Sequence, residues 1–170
     1  MAAGSLETIF TVLEHAGVRY LVVGGVAVVL HGHPRFTADL DLVLALDTAN
    51  IRAALSALAG LGYRPRAPVP ADDFADPAKR EEWIRNKGMV VFSLASPDHP
   101  ATEVDLFVEE PFPFEAAHRR ATWADLGDIR VAVASIPDLV EMKRRAGRAR
   151  DLDDVRQLEE IARDLERSNG

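Results

Sequence analysis

Residues 21–46 read LVVGGVAVVLHGHPRFTADLDLVLAL, and the rest of the chain can be placed around this stretch. An apolar run ends at Gly24-Gly25, a short apolar segment and a loop follow, and Asp39 and Asp41 then interrupt a second apolar run. The pattern predicts a strand, a glycine turn, a short helix, a loop and a second strand. Because side chains alternate along a strand, the two aspartates project from one face, roughly 7 Å apart, and the leucines beside them project from the other.

Two acids on a half-buried strand are unfavourable, because like charges repel and lose their hydration. A divalent metal ion is the simplest compensation. The paired glycines let a ligand approach the backbone, and the helix that they open presents free N–H groups to a phosphate. Together these features predict a site for a magnesium nucleoside triphosphate. An edge strand with solvated acids is the alternative.

The composition of the 170 residues is that of a soluble globular protein, and we expect one domain over residues 1–170. There are no cysteines, which excludes a disulfide framework and thiolate metal sites. No apolar run reaches membrane-spanning length, so we expect a cytoplasmic protein without membrane contact. The net charge of -7 argues against general affinity for a nucleic acid backbone, and we expect no DNA binding.

The remaining periodicities predict an α/β (α+β) fold with a mixed, mainly antiparallel sheet that is flanked by helices. We expect the C-terminal helices, residues 135–167, to pack on the sheet core. The polar segment 63–86 contains a predicted helix over 72–86 and is interpreted as a surface excursion or a mobile flap over the substrate. Further strands are predicted over 89–94 and 102–108, with a hairpin between them.

The strand over 102–108 again carries acids in an apolar run, because Glu103 and Asp105 share one face. If this strand neighbours the one with Asp39 and Asp41, Asp105 completes a cluster of three carboxylates. Glu103 lies farther along the same face and is the weaker candidate.

A dense basic stretch, residues 143–150, begins with Lys143 in an otherwise acidic chain. It could attract a triphosphate or a nucleic acid acceptor, or it could pair with the acids just downstream, and the sequence favours neither interpretation. His31 and His33 raise the alternative of zinc, but further ligands are scarce. We interpret their loop as one that positions Arg35 and Thr37 against the nucleotide.

The order GG, HGxxRxTxDLDLV, VDLF and a helical lysine followed by RxRDLDDV resembles the nucleotidyltransferase superfamily with the DNA polymerase beta-like fold. Among its members, the chain is most similar to the small stand-alone AbiEii-type nucleotidyltransferases of toxin-antitoxin and phage-defence systems. The resemblance implies transfer of a nucleoside monophosphate from a nucleoside triphosphate to a hydroxyl acceptor. It also implies two Mg²⁺ ions, with Mn²⁺ as a possible substitute.

The same resemblance implies roles for individual residues. Asp39 and Asp41 match the paired acids that hold the metal ions, and Asp105 matches a third acid that binds one metal and helps to deprotonate the acceptor. Gly24-Gly25 matches the turn that holds the β and γ phosphates. Two further positions match a lysine near the triphosphate and a downstream acid with a catalytic role, namely Lys143 and Asp154.

The chain departs from the family pattern at the glycine turn. Many members have Gly-Ser there, where the hydroxyl contacts phosphate, whereas Gly25 is followed by Val26. The departure keeps a rival open, a catalytically weak, nucleotide-binding partner such as an antitoxin. A second rival is an antibiotic adenylyltransferase. Within the main hypothesis the acceptor is RNA such as tRNA, a partner protein or a small molecule, and the chain acts as toxin or antitoxin with a cognate partner.

Overall fold

The computed structural model describes the backbone of residues 3–170 and the side chains from residue 5 onward. In this part of the chain, seven strands form one sheet and seven α-helices and one 3-10 helix flank it. The strands are β1 Tyr20–Val23, β2 Asp39–Leu44, β3 Arg64–Pro65, β4 Val91–Ala95, β5 Glu103–Phe107, β6 Thr122–Leu126 and β7 Ile129–Val133. The helices are α1 Ala3–His15, α2 Gly24–Leu30, α3 Thr48–Ala59, α4 Pro77–Lys87, α5 Phe114–Arg119, α6 Ile136–Ala146 and α7 Ala149–Asn169, and the 3-10 helix is Ala71–Ala75.

The strand order is β3-β4-β5-β2-β1-β7-β6. Strand β2 runs parallel to β5, β1 runs parallel to β7, and the other neighbouring pairs are antiparallel. The predicted mixed, mainly antiparallel sheet flanked by helices is therefore confirmed, and so is the hairpin of β4 and β5. The two-residue strand β3 was missed, because its only sequence signal is a proline-rich segment.

Strand β2 lies in the middle of the sheet and has two different faces. Its leucines, Leu40, Leu42 and Leu44, are fully buried in the hydrophobic core, as the alternation predicts. The opposite face carries Asp39 and Asp41 at the start of the strand. The strand therefore anchors the fold with one face and places carboxylates with the other.

The segment between α3 and β4 lies largely at the surface but is anchored on the core by a few buried side chains, so its interpretation as a mobile flap over the substrate is wrong. The rings of Phe74 and Trp83 stack on Phe92 of β4, with ring centroids 5.1 and 5.2 Å apart. Phe92 pairs with Leu106 of β5, whereas the adjacent Ser93 pairs with Asp105. Since neighbouring residues of a strand face opposite ways, this aromatic stack lies on the side of the sheet away from the carboxylates.

Helices α6 and α7 close the chain. Ser135 caps α6 by accepting a hydrogen bond from the backbone N–H of Asp138, as its sequence predicts. Helix α7 begins at Ala149, and the carboxylate of Asp151 in its first turn accepts a hydrogen bond from the backbone N–H of Arg148. Leu139 of α6 and Leu158 of α7 belong to the same buried cluster as the sheet. In residues 3–170, no helix combines the length and the apolar character that crossing a bilayer requires.

Candidate active site

The three aspartates of the two strands line one cleft. Strands β2 and β5 pair in parallel with Asp41 opposite Asp105 and Asp39 opposite Glu103. Asp39, Asp41 and Asp105 all line this cleft, while Glu103 forms an ion pair with Arg66 (2.7 Å) outside it. The structure thus meets the condition set by the sequence, that the two acidic strands be neighbours.

Burial and mutual repulsion disfavour the charged forms of Asp41 and Asp105. Burial raises the pKa of Asp41 to about 7, the charges of Asp105 and Asp39 add to the rise, and Lys143 opposes it. Burial also raises the pKa of Asp105, and the nearby Asp39 adds to that rise. Two carboxylates side by side in a partly buried position require a proton or a cation between them.

The carboxylate oxygens of the cleft have some of the features that a site for a hard divalent cation requires. Among the described residues, Oδ1 of Asp105 is buried and has no hydrogen-bond partner, and Mg²⁺ prefers such oxygen ligands. However, no three acidic, histidine or cysteine side chains of the described part converge into a preformed metal cage. Asp39 is exposed at the open end of the strand. The pair Asp41–Asp105 therefore provides a two-carboxylate site, and the three-carboxylate metal site stays a prediction.

The two histidines of the zinc alternative have no further metal-binding side chains around them in the described part of the chain. The ring Nε2 of His31 lies 2.8 Å from the carbonyl oxygen of Ala134. In the described residues, His31 and His33 thus belong to no metal-binding group.

The glycine turn is shaped by the side chains of the chain itself. Gly24 has a positive φ of 67°, and a Cβ at this position would overlap the carboxylate of Asp41. A Cβ on Gly25 would lie 2.6 Å from Oγ1 of Thr37 and 3.2 Å from a guanidinium nitrogen of Arg35. The interpretation that the glycines leave open room for a ligand is corrected accordingly, because Asp41, Thr37 and Arg35 take that room. Both glycines still line the cleft, and phosphate binding there stays a prediction.

Lys143 faces the carboxylates from α6 and is itself buried. Its Nζ lies 2.7 Å from Oδ2 of Asp154 and 3.7 Å from Oδ1 of Asp151. The predicted lysine thus lies in the same cleft as the three aspartates. Arg35 and Thr37 line this cleft too, as the sequence predicts.

Asp154 does not have the place expected of a catalytic acid. It is buried behind Lys143, does not line the cleft, and also lies 3.4 Å from Nε of Arg35. Two cations from different elements therefore meet on one carboxylate. This geometry suits a residue that positions Lys143 and Arg35, and the catalytic role expected for Asp154 stays a prediction.

The sequence left open whether the basic residues 143–150 attract a phosphate-bearing ligand or pair with the acids downstream. The structure shows contacts of both kinds. Arg145, Arg148 and Arg150 line the cleft, which fits attraction of a phosphate-bearing ligand. Arg148 is also paired with the downstream Asp151 (2.7 Å), and Arg144 is paired with Glu159 away from the cleft. Arg145 is likewise paired with Glu141 (2.8 Å), so the three arginines form a cationic rim whose charge is partly offset by acids.

Sequence analysis missed the apolar part of the cleft. Phe36, Val90, Phe107 and Met142 line it together with the charged groups. Phe36 and Val90 are 77% and 63% exposed, respectively. The sequence signal for Phe36 was its position between Arg35 and Thr37, both of which were selected as candidates.

Comparison with known families now identifies the relationship. The family described as "Nucleotidyl transferase AbiEii toxin, Type IV TA system" matches residues 11–169. The chain belongs to this AbiEii nucleotidyltransferase family. The predicted relationship and the predicted enzyme class, a nucleotidyltransferase, are thereby confirmed. Comparison with curated proteins finds no match.

Solved structures support the fold of this AbiEii family member. Lincosamide antibiotic adenylyltransferase LnuA, in its lincomycin-bound structure, aligns with a TM-score of 0.63 and 16% identity over 95% of this chain and 98% of LnuA. ANT(2")-Ia in complex with adenylyl-2"-tobramycin aligns with a TM-score of 0.56 and 14% identity over 98% and 97% of the two chains. At such low identities these similarities establish a shared nucleotidyltransferase fold.

Proposed function

We propose that this chain uses Mg²⁺, or Mn²⁺ in its place, to transfer a nucleoside monophosphate from a nucleoside triphosphate to a hydroxyl acceptor. One observation carries the proposal. Asp41 and Asp105 lie opposite each other on adjacent parallel strands, in a cleft that Lys143 also lines. A carboxylate pair facing a buried ammonium group suits a ligand that combines cations with a polyphosphate.

The carboxylates Asp41 and Asp105 would hold the metal, and Asp39 would join them from the open end of β2. Bound Mg²⁺ would supply neutralisation of phosphate charge and activation of the acceptor hydroxyl. The unpartnered Oδ1 of Asp105 supports this assignment. An uncompensated pair of acids would otherwise be an unfavourable feature of the fold.

The reaction forms a bond between the acceptor oxygen and the α phosphorus. The bond from that phosphorus to the oxygen bridging to the β phosphorus breaks, and pyrophosphate leaves. Asp105 would take the proton of the acceptor hydroxyl as a general base. Lys143, fixed by Asp154, offsets the negative charge of the phosphates.

Thr37 bears on the rival in which the chain binds nucleotide without turnover. That rival is supported by the absence of a serine at the glycine turn, where many family members have a hydroxyl that contacts phosphate. Oγ1 of Thr37 lies 2.6 Å from the place that a Cβ on Gly25 would take, so a hydroxyl is available at the turn from a different residue. This supports an active enzyme.

We further propose a role in a type IV toxin-antitoxin system, because the family description names such a toxin. The partner would then be the cognate antitoxin. The cationic rim formed by Arg145, Arg148 and Arg150 supports an acceptor that carries phosphate, such as tRNA or another RNA. Transfer to a partner protein or to a small molecule is the alternative.

Labelled nucleotides test the proposal directly. The purified chain is incubated with each of the four α-labelled triphosphates, Mg²⁺ and either total RNA, cell-extract protein or lincosamide and aminoglycoside antibiotics. We expect labelled RNA, and we expect Asp41→Asn to lower the rate at least about 100-fold. Asp125→Asn, an exposed change on β6, is the matched control and should not change the rate.

Three outcomes contradict parts of the proposal, namely its turnover, its RNA acceptor or its site. Binding of nucleotide without any labelled product would favour the inactive-partner rival. A labelled antibiotic as the single product would favour the antibiotic adenylyltransferase. Full activity of Asp41→Asn would place the chemistry elsewhere.

A further inference from the structure

Phe36 is an exposed aromatic residue at the cleft that contains the carboxylates. Its side chain is 77% exposed, the largest value among the large hydrophobic residues of the described chain. In that part of the chain, no other aromatic ring or guanidinium group stacks on it. Single exposed hydrophobic residues are common on protein surfaces, so what distinguishes Phe36 is its place in the lining of this cleft.

The backbone around Phe36 is fixed from several sides. Burial alternates along the loop, with Arg35 and Thr37 partly buried and Phe36 exposed. Both neighbours pack on Gly25, and Arg35 also reaches the buried Asp154. The carbonyl oxygen of Phe36 accepts a hydrogen bond from Arg150 of α7 (3.2 Å). Because the backbone is held in this way, the loop that carries the ring has little conformational freedom to lose on binding.

The surroundings of the ring indicate which ligand it would take. Phe36 precedes Asp39 by three residues, so the two Cα atoms lie within about 11 Å even if the chain is fully extended. The guanidinium groups of Arg148 and Arg150 line the same cleft. An aromatic face beside cations is the arrangement that binds nucleotides, since the ring stacks on the base and the cations meet the phosphates.

We propose that Phe36 is a stacking platform for a nucleobase, supplied either by the triphosphate or by the end of an RNA acceptor. The inference rests on the proposed function and adds a residue that selects for bases. Arg150 is a positioning residue in this arrangement, because it holds the Phe36 backbone. The proposal favours a nucleobase over a protein partner, since Phe36 lines the cleft in which phosphate transfer is proposed.

Binding measurements with Phe36→Ala test the platform. Dissociation constants are measured by calorimetry for ATP, GTP, CTP and UTP and for inorganic tripolyphosphate, all with Mg²⁺. Transfer kinetics are measured with short single-stranded RNAs that have either a normal or an abasic 3′-terminal nucleotide. Phe36→Tyr and Phe36→Trp should retain binding. Trp123→Ala, which removes a partly exposed aromatic ring outside the cleft, is the matched control.

Two results support the proposal and identify the source of the base. If the triphosphate stacks on the ring, Phe36→Ala weakens nucleotide binding about 5- to 100-fold and leaves tripolyphosphate binding unchanged. If the acceptor stacks on it, nucleotide binding is unchanged. The KM for normal RNA then rises by a similar factor, and the KM for the abasic RNA does not.

Other results overturn it. Unchanged binding and kinetics in Phe36→Ala, alongside an active wild-type chain, would remove the platform and leave the proposed function intact. An equal loss of tripolyphosphate binding would show that Phe36 merely shapes the loop. A wild-type chain that neither binds nucleotides nor transfers them would defeat both proposals at once.

Discussion

The two faces of strands β2 and β5 contrast sharply. On one face Leu40, Leu42 and Leu106 are fully buried, and the aromatic stack of Phe92, Phe74 and Trp83 covers this side. On the other face Asp41 and Asp105 lie side by side with raised pKa values. The contrast indicates that the leucine face supplies stability, whereas the aspartate face keeps charges that are unfavourable for folding and that the proposed function assigns to binding a cation.

The largest effect is expected from Leu106→Ala. The change leaves a cavity under the sheet where no solvent enters, so we expect the free energy of unfolding to fall by about 3–5 kcal/mol. Urea denaturation measures it. Asp105→Asn, one residue away on the opposite face, is the matched control and should leave stability unchanged or slightly higher because it removes repulsion. If Asp105→Asn destabilised as much as Leu106→Ala, the distinction between the faces would be lost.

A smaller loss is expected from Asp154→Asn. The change removes the main partner of Lys143 and leaves that ammonium group buried beside Asp151, so unfolding should become easier by about 3 kcal/mol. Transfer should also slow, because Lys143 and Arg35 lose the group that positions them.

Denaturation and transfer rates of Asp154→Asn are compared with those of Asp153→Asn, whose exposed carboxylate pairs with Arg156. We expect the control to stay within about 0.5 kcal/mol of the wild type. Equal stability of the two variants would show that Asp154 does not hold the cleft together.

The faces of β2 could be predicted from the sequence because strand alternation is a local rule. The faces of Asp39, Leu40 and Asp41 followed from the two-residue period of a strand alone. Placing Asp105 beside them needed one further assumption, namely that β5 neighbours β2. The role of Asp154 could not be predicted, since it depends on α7 crossing behind α6 and bringing one carboxylate to Lys143 and Arg35. Local helix patterns contain no information about such a crossing.

The prediction of a mobile flap over residues 63–86 was wrong for a different reason. Helix α4 of this segment is polar over most of its surface, and this suggested a surface flap. Two aromatic residues, Phe74 and Trp83, stack on Phe92 and fix the segment to the sheet. The average polarity of the segment does not reveal an apolar contact made by only two side chains. The crowding around Gly24 and Gly25 could not be predicted either, because the atoms that cause it come from later residues of the chain.

The smallest effect on stability is expected at Asp138, a buried carboxylate whose charge is balanced by a nearby guanidinium group. Within the described part of the chain, the pair Asp41–Asp105 in the cleft has no such partner between its carboxylates. Burial alone would raise the pKa of Asp138, but the Arg120 guanidinium (2.8 Å) and the Ser135 hydroxyl (2.9 Å) outweigh it, and the pKa is lowered. A lowered pKa in the folded state means that the charged carboxylate stabilises the fold. This stabilisation is present above the unfolded pKa of about 3.9 and is lost as the pH falls through the lower, folded value.

Asp138→Asn should therefore lower the free energy of unfolding by about 1–3 kcal/mol near neutral pH, and the difference from the wild type should shrink below about pH 4. Urea denaturation from pH 7 to pH 3 measures this difference. Asp128→Asn, in the exposed turn between β6 and β7, provides the comparison for a solvated carboxylate. A difference that stayed constant or grew on acidification would mean that Arg120 does not compensate Asp138. The contrast between a compensated acid at the start of α6 and an uncompensated pair on β2 and β5 would then fail as well.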